Sequence, residues 1–411
     1  MPLCRENRPL SEIADFGLIV LVVAGAFTAA LATSKLTERF PVPGPALFLI
    51  AAAIASDLFP GLAASLSIQN VERIAVVALI VILFDGGMRV GWRRFRVAAA
   101  PIAALGVLGT FATAAVMAVA AHYLFDFRWI TAWILGAALA PTDPAVMFSV
   151  LGNREVGGRT GTILEGESGA NDPVAIALMI GILDFAGHEG GSVWTIVWDF
   201  ATQMAVGLAI GVAGAVLLLE LMRRVSLPAR GLYPIRTLAA VGAIYGIASV
   251  AHGSGFLAVF VAGLLVGDSR APHKSDIERF HVSLANLAEI SVFIALGVTI
   301  DITDLGVGGL WSDGLLLALI LVFVARPLVA GPMLMPARLG ARERLFIVWG
   351  GLRGAVPILL AAFALLEQVD GAERIYGIVF VVVAFSVVVQ GTTIPFAART
   401  LGVRMRRVER D

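Results

Sequence analysis

Long apolar stretches of about twenty residues alternate along the chain with short polar links. A bilayer core about 30 Å thick takes roughly 20 apolar residues as a helix. Thirteen stretches qualify, near 16–33, 42–59, 71–88, 98–122, 130–150, 161–185, 193–222, 233–251, 254–268, 283–300, 309–334, 343–366 and 375–398. The ninth is the shortest. No polar linker is long enough to separate a second domain. The expected fold is therefore an all-α polytopic membrane protein of about 13 transmembrane helices, with one membrane domain over 1–401 and a short basic tail over 402–411. Glu6, Glu12 and Asp15 precede the first apolar run, so no clean positive segment marks a signal peptide, and that run reads as the first membrane helix.

Composition agrees. Of 411 residues, 59% are hydrophobic and 15% charged, against roughly 45–50% and about 25% in soluble domains. Thirty basic residues balance thirty acidic ones, which excludes a nucleic-acid binder with a broad basic face and a disordered acidic chain. The single cysteine, Cys4, excludes an intramolecular disulfide and a multi-cysteine metal site. The 44 glycines suit close packing of membrane helices. Charge changes the picture most through its placement. Twenty-three basic residues lie in or beside the connections after odd-numbered spans and in the tail, five lie on the other side, and Arg326 and Arg353 fall inside spans. Cytoplasmic loops carry the Lys and Arg. The split thus predicts an odd span count, the N-terminus outside and the C-terminus cytoplasmic, in a multi-pass protein of the cell's inner (plasma) membrane.

Ionisable groups within a bilayer are costly, so each is a functional candidate. The spans hold Asp85, Asp143, Glu165, Glu167, Asp172, Glu289, Arg326 and Arg353. Two prolines flank Asp143 in Ala140-Pro141-Thr142-Asp143-Pro144. Pro144 removes a backbone donor and disfavours helix at the residue before it. The freed carbonyls at mid-membrane need a cavity or an ion. A carboxylate and bare carbonyls at one depth suit a monovalent cation that has shed its water. In the sixth span Ser168 and Asp172 stand four residues apart and share a helix face, placing both toward Asp143 while Glu167 turns to another partner. Two carboxylates at one site repel unless a proton or a cation lies between them, which is the requirement for exchange. Each buried arginine needs a countercharge, and Glu167 is the expected partner of Arg326. Three glycines and Pro357 surround Arg353 and predict a second broken helix. Gly/Pro-interrupted spans in corresponding halves point to an inverted-repeat transporter. The fifth and twelfth spans are seven apart, so spans 1–6 and 8–13 would be inverted repeats with discontinuous, crossing helices 5 and 12.

At these residues the sequence resembles the cation:proton antiporter-1 family, the NhaP-type and sodium/proton-exchanger group, and within it the cell-volume-regulation potassium/proton antiporter branch. The resembling segments are Leu83-Phe84-Asp85-Gly86-Gly87-Met88-Arg89, Pro141-Thr142-Asp143-Pro144, Glu167-Ser168-Gly169-Ala170-Asn171-Asp172-Pro173 and Gly351-Leu352-Arg353-Gly354-Ala355-Val356-Pro357. The resemblance implies a core bundle of six helices and a second bundle that makes a homodimer interface. It implies a cation and proton site of Asp143, Asp172, Ser168 and the Thr142 carbonyl, with Asp85 near the ion path. It also implies Asn171 as a structural partner of the broken helix, a buried Glu167–Arg326 pair and, from the Asn-Asp pair, electroneutral exchange. The potassium branch carries a cytoplasmic regulatory domain after the last helix; this chain stops at Asp411, and no such domain is expected. Glu289 matches no family carboxylate and reads as a residue near a helix end or at the dimer interface.

The expected function is antiport of H⁺ against Na⁺ or K⁺ by alternating access, with no enzyme activity, no cofactor, and a bilayer and a second copy as partners. A cation channel is one alternative, but the chain shows no repeated filter sequence. An intramembrane aspartyl hydrolase using Asp143 and Asp172 is another, but no Gly-x-Gly-Asp segment is present. The ligand types suit sodium and potassium alike.

Overall fold

The computed structural model describes a few residues between 17 and 28, then 43–59, 66–151, 154–187, 193–306 and 309–407. The first expected span, 16–33, lies mostly outside the described residues. The other twelve each coincide with a helix or a broken helix. They are α1 (Gly44–Leu58), α2 (Ile68–Val90), α3 (Ala99–Phe125), the pair α4 (Trp129–Leu139) and α5 (Pro144–Leu151), α6 (Gly158–Gly187) and α7 (Val193–Arg224). They continue as α8 (Leu232–Val250), α9 (Gly255–Gly267), α10 (Lys274–Val298), α11 (Leu310–Met333), the pair α12 (Ala341–Trp349) and α13 (Ala355–Leu366), and α14 (Ala372–Thr400). Among the described residues, eight helical segments are long and apolar enough to cross a membrane, the broken Trp129–Leu151 among them.

Local chemistry sets several of the ends. Ser67 caps α2 by accepting from the Asn70 N–H at 3.3 Å, and Ser254 caps α9 by accepting from Leu257 at 3.2 Å. Gly91, at φ +67°, ends α2 in a backbone conformation that glycine adopts freely. α10 starts at Lys274, nine residues before its expected apolar start at 283, because hydropathy marks the edge of the bilayer and not the end of a helix.

Helices pack closely where residues are small. A side chain at Gly263 would collide with the Phe84 carbonyl, and one at Gly267 with that of Met88 at 2.5 Å, so the short α9 lies directly on α2. One large apolar core runs through α1–α6 and α9–α14, and a smaller one joins α2, α7, α8, α9 and α10.

Among the described residues three helices contain π turns, at Ala104–Gly109 in α3, Leu321–Ala325 in α11 and Ser386–Gln390 in α14. α3 and α11 are the fourth and eleventh spans, again seven apart. Gly106, in the first π turn, packs on α6: a side chain there would meet Ala170 Cβ at 2.7 Å and the Glu167 carbonyl at 3.3 Å.

The connections sort into two groups by parity. After odd-numbered spans, the Arg93 N–H donates to Asp268 at 2.5 Å and the Gly157 N–H donates to the Arg404 carbonyl at 2.8 Å. After even-numbered spans, Arg128 lies 3.8 Å from Asp370, and Arg374 reaches Asp313 at 2.9 Å and the Phe125 carbonyl at 3.3 Å. Among the described residues one element departs from an all-α chain. The link after α5 forms β1 (Arg154–Val156), which pairs antiparallel with β2 (Met405–Arg407) in the tail. Strands of three residues carry too few positions to show alternation, so no period-2 signal marks them.

Candidate ion site

The two broken helices meet at their breaks. Residues 140–143 separate α4 from α5, and 350–354 separate α12 from α13. The Asp143 N–H donates to the Leu352 carbonyl at 2.8 Å, so one unwound segment satisfies the other.

Asp143 sits at two helix starts. Its Oδ1 accepts the Ala145 N–H at 2.8 Å and so caps α5. Gly354, just before α13, has no side chain because the Asp143 carboxylate occupies that place: a Cβ there would overlap it. The positive ends of two half-helices therefore converge on one carboxylate. Gly354 was part of a glycine-rich break in the sequence; its contact with Asp143 is a long-range fact that spacing does not reveal.

Arg353 sits at the opposite ends. It is 1% exposed. Its Nε donates to the Leu139 carbonyl at the end of α4 (2.8 Å) and its Nη1 to the Gly351 carbonyl (2.7 Å). The expectation that it needs a countercharge is corrected here: among the described residues no carboxylate forms an ion pair with it. The carbonyls left bare where α4 and α12 stop supply the negative end of a dipole instead. Two further residues complete this break, and being uncharged they are absent from the ionisable candidates of the sequence. Ser386 accepts the Arg353 N–H at 2.9 Å and donates to Gln390 at 3.1 Å, and Gln390 donates to the Trp349 carbonyl at 2.6 Å. Their signal was present as uncharged polar residues inside an apolar span.

α6 faces the first break. The Ser168 hydroxyl donates to the Thr142 carbonyl, and Asn171 Nδ2 donates to the Thr142 hydroxyl at 2.7 Å. Asp172, one turn beyond Ser168, is buried, with its Oδ1 unpartnered. The charge that acts on it is that of Asp143. A buried carboxylate oxygen without a donor is costly unless a proton or a cation completes it. Glu167 turns the other way and holds Arg326 in a two-pronged pair, Nη1–Oε1 at 2.5 Å and Nη2–Oε2 at 3.0 Å. Gly351 makes room for this pair, since a Cβ there would stand 2.6 Å from the Arg326 guanidinium carbon.

The remaining candidates lie apart. Asp85 is buried but paired with Arg89 at 2.7 Å on its own helix, and it lines a cavity of about 300 Å³ with Glu165, Asp268 and Glu278. Glu289 lies within α10 with a buried, unpartnered Oε1, and the charges that act on it are those of Asp143 and Arg89. Its place well inside Lys274–Val298 corrects its reading as a residue near a helix end. A sequence with no charged neighbour four residues away could not show which way it points.

The family described as "Sodium/hydrogen exchanger, transmembrane" matches residues 23–400. The chain is 36% identical over 390 residues to the K(+)/H(+) antiporter NhaP of Alkalimonas amylolytica, covering 93% of this chain and 67% of that one. It is 34% identical over 387 residues to the K(+)/H(+) antiporter NhaP2 of Shewanella oneidensis, with the same coverage. It is 27% identical over 352 residues to the Na(+)/H(+) antiporter NhaH of Halobacillus aidingensis, covering 82% and 85%. Among solved structures, the sodium proton antiporter MjNhaP1 from Methanocaldococcus jannaschii shares the fold, with a TM-score of 0.78 at 22% identity over 92% of this chain and 99% of that one.

Proposed function

The chain belongs to the sodium/hydrogen exchanger family, and from that premise we propose that it exchanges a proton for a monovalent cation at the crossing of its two broken helices. The relatives of this family are antiporters and not enzymes, so neither the hydrolase nor the channel alternative is retained. The observation that carries the reading is the buried Asp172 with an unpartnered oxygen under the charge of Asp143. Such a carboxylate is completed by a proton or by a cation, and one expels the other. Asp143, Ser168 and the Thr142 carbonyl supply further oxygens. Asp85, in the cavity with Glu165 and Glu278, stands at the mouth of the path.

One proton replaces one singly charged cation on one carboxylate, so exchange is electroneutral. The relatives at 33–36% identity are named K(+)/H(+) antiporters, which favours potassium over sodium. Alternating access moves the helices carrying the site (α3–α6 and α11–α14) against α1, α2 and α7–α10, of which α2 and α7–α10 share an apolar core of their own. Residues 1–401 form one transport domain, and the exposed apolar side chains of α7, among them Trp194 and Leu217, offer a face for lipid or a second copy in a homodimer. The arginine distribution supports a cytoplasmic C-terminus and an outer N-terminus in the plasma membrane. No cofactor is invoked.

Exchange in everted vesicles, with K⁺, Na⁺, Li⁺ and Rb⁺ offered in turn under an imposed pH gradient, tests the proposal. Asp172→Asn should insert normally and exchange nothing. Wild-type rates from that variant would sink the assignment.

A further inference from the structure

A second cavity, of about 540 Å³, opens beside the one that holds Asp85. Its walls carry four arginines, Arg93, Arg94, Arg159 and Arg406, and one carboxylate, Glu165. The arginines come from three distant places in the chain: the connection after α2, the start of α6, and strand β2. Among the described residues none of the four is in a salt bridge, and the Nε of Arg159 is buried without a partner. The arginine bias of cytoplasmic loops puts such residues on this side of a membrane protein. It does not gather them around one concavity.

The backbone at the same place adds donors. α6 is 30 residues long and begins at Gly158, which has φ +70° and open space where a side chain would be. The first N–H groups of a helix have no carbonyl partner and favour negative charge. Guanidinium forks match the oxygens of a phosphate group two at a time. The volume lies within the roughly 300–1,000 Å³ of small-molecule sites.

We propose that this arginine-lined cavity between the start of α6, the connection after α2 and strand β2 binds a phosphate-bearing anion, as a phospholipid head group or a soluble phosphate ester. Basic pockets between helices on the cytoplasmic side bind such head groups. The position gives the ligand a consequence for transport. Arg94, Glu165 and Arg406 line both cavities. Arginine charge at the mouth of a cation path lowers the local cation concentration. A bound phosphate cancels that field, so occupancy should speed exchange on the cytoplasmic side. Arg93 and Arg159 line this cavity alone, and binding of a soluble anion is read without transport, so that arm of the test stands or falls apart from the antiport assignment.

Direct binding is the test. The purified full chain in neutral detergent is titrated with inorganic phosphate and with pyrophosphate by calorimetry. The same protein is then reconstituted in phosphatidylcholine vesicles with and without phosphatidylglycerol. Wild type should bind one of the soluble anions saturably, or exchange several-fold faster with phosphatidylglycerol. The Arg159→Gln/Arg406→Gln double variant should lose tenfold or more of that affinity, or the lipid response. Arg338→Gln, an exposed arginine outside the cavity, should keep both. Saturable phosphate binding without a lipid effect identifies a soluble ligand; a lipid effect without it identifies a head group; both support the site. If the double variant elutes as aggregate, Arg93→Gln/Arg94→Gln takes its place. Equal binding and an equal lipid response in wild type and in the folded variant, or neither effect in wild type, would overturn the proposal.

Discussion

Removing Glu167 should cost more than removing the whole ion pair. Glu167 and Arg326 are both buried, and they meet through two parallel hydrogen bonds. Without Glu167, the guanidinium keeps only the Ile347 carbonyl at 3.4 Å, a long contact, and its Nε already lacks a partner. Breaking one side of a buried pair costs about 3–5 kcal/mol, whereas exchanging both partners for apolar side chains of similar volume ranges from neutral to stabilising by about 1–4 kcal/mol. Glu167→Met and Arg326→Met should therefore each destabilise by about 3–5 kcal/mol, and the double variant should regain most of that loss. The coupling energy of the cycle would then be several kcal/mol, well beyond the roughly 0.5–3 kcal/mol of ordinary neighbours. Equilibrium unfolding of the purified protein in mixed micelles, followed by tryptophan fluorescence, reads all four corners. Additive losses would refute the claim that this pair is a closed unit. The double variant should also retain measurable exchange, because the pair faces away from Asp172.

Two further outcomes follow from the crossing. Gly354→Ala places a methyl group where the Asp143 carboxylate lies, so exchange in vesicles should fall at least tenfold with insertion unchanged; wild-type exchange would show that Asp143 has room to move. Ser386→Ala leaves the Arg353 N–H without its acceptor, at a cost of about 1–3 kcal/mol in the same unfolding measurement, while Ser386→Thr, which keeps the hydroxyl, should cost less.

Much of this was legible in the chain because the breaks are written in local chemistry. Pro141 and Pro144 around Asp143, and the glycines around Arg353, disrupt helix by their own backbones, whatever surrounds them. The facing of Ser168 and Asp172 follows from helical spacing. The pairing of Glu167 with Arg326 was reachable because each is costly alone in a membrane. What the chain concealed is where neutral groups do the work of charges. Arg353 is balanced by carbonyls, which every residue possesses, so no side chain marked its partner. Ser386 and Gln390 escaped a search for titratable groups. Glu289 and Gly354 take their meaning from atoms far away in sequence, and three-residue strands carry no pattern at all.

The π turn before Arg326 has a geometric consequence for anyone placing residues on a helical wheel. A π turn inserts about one extra residue into an α-helix, which rotates everything beyond it by about 100°. In α11 the turn ends at Ala325 and the guanidinium is carried by the very next residue. A wheel drawn in one phase from Leu310 would aim Arg326 about a quarter-turn away from Glu167. The insertion works as a phase shifter: the first part of the span stays in register with its apolar neighbours while the part beyond it is turned to bring a buried cation onto α6.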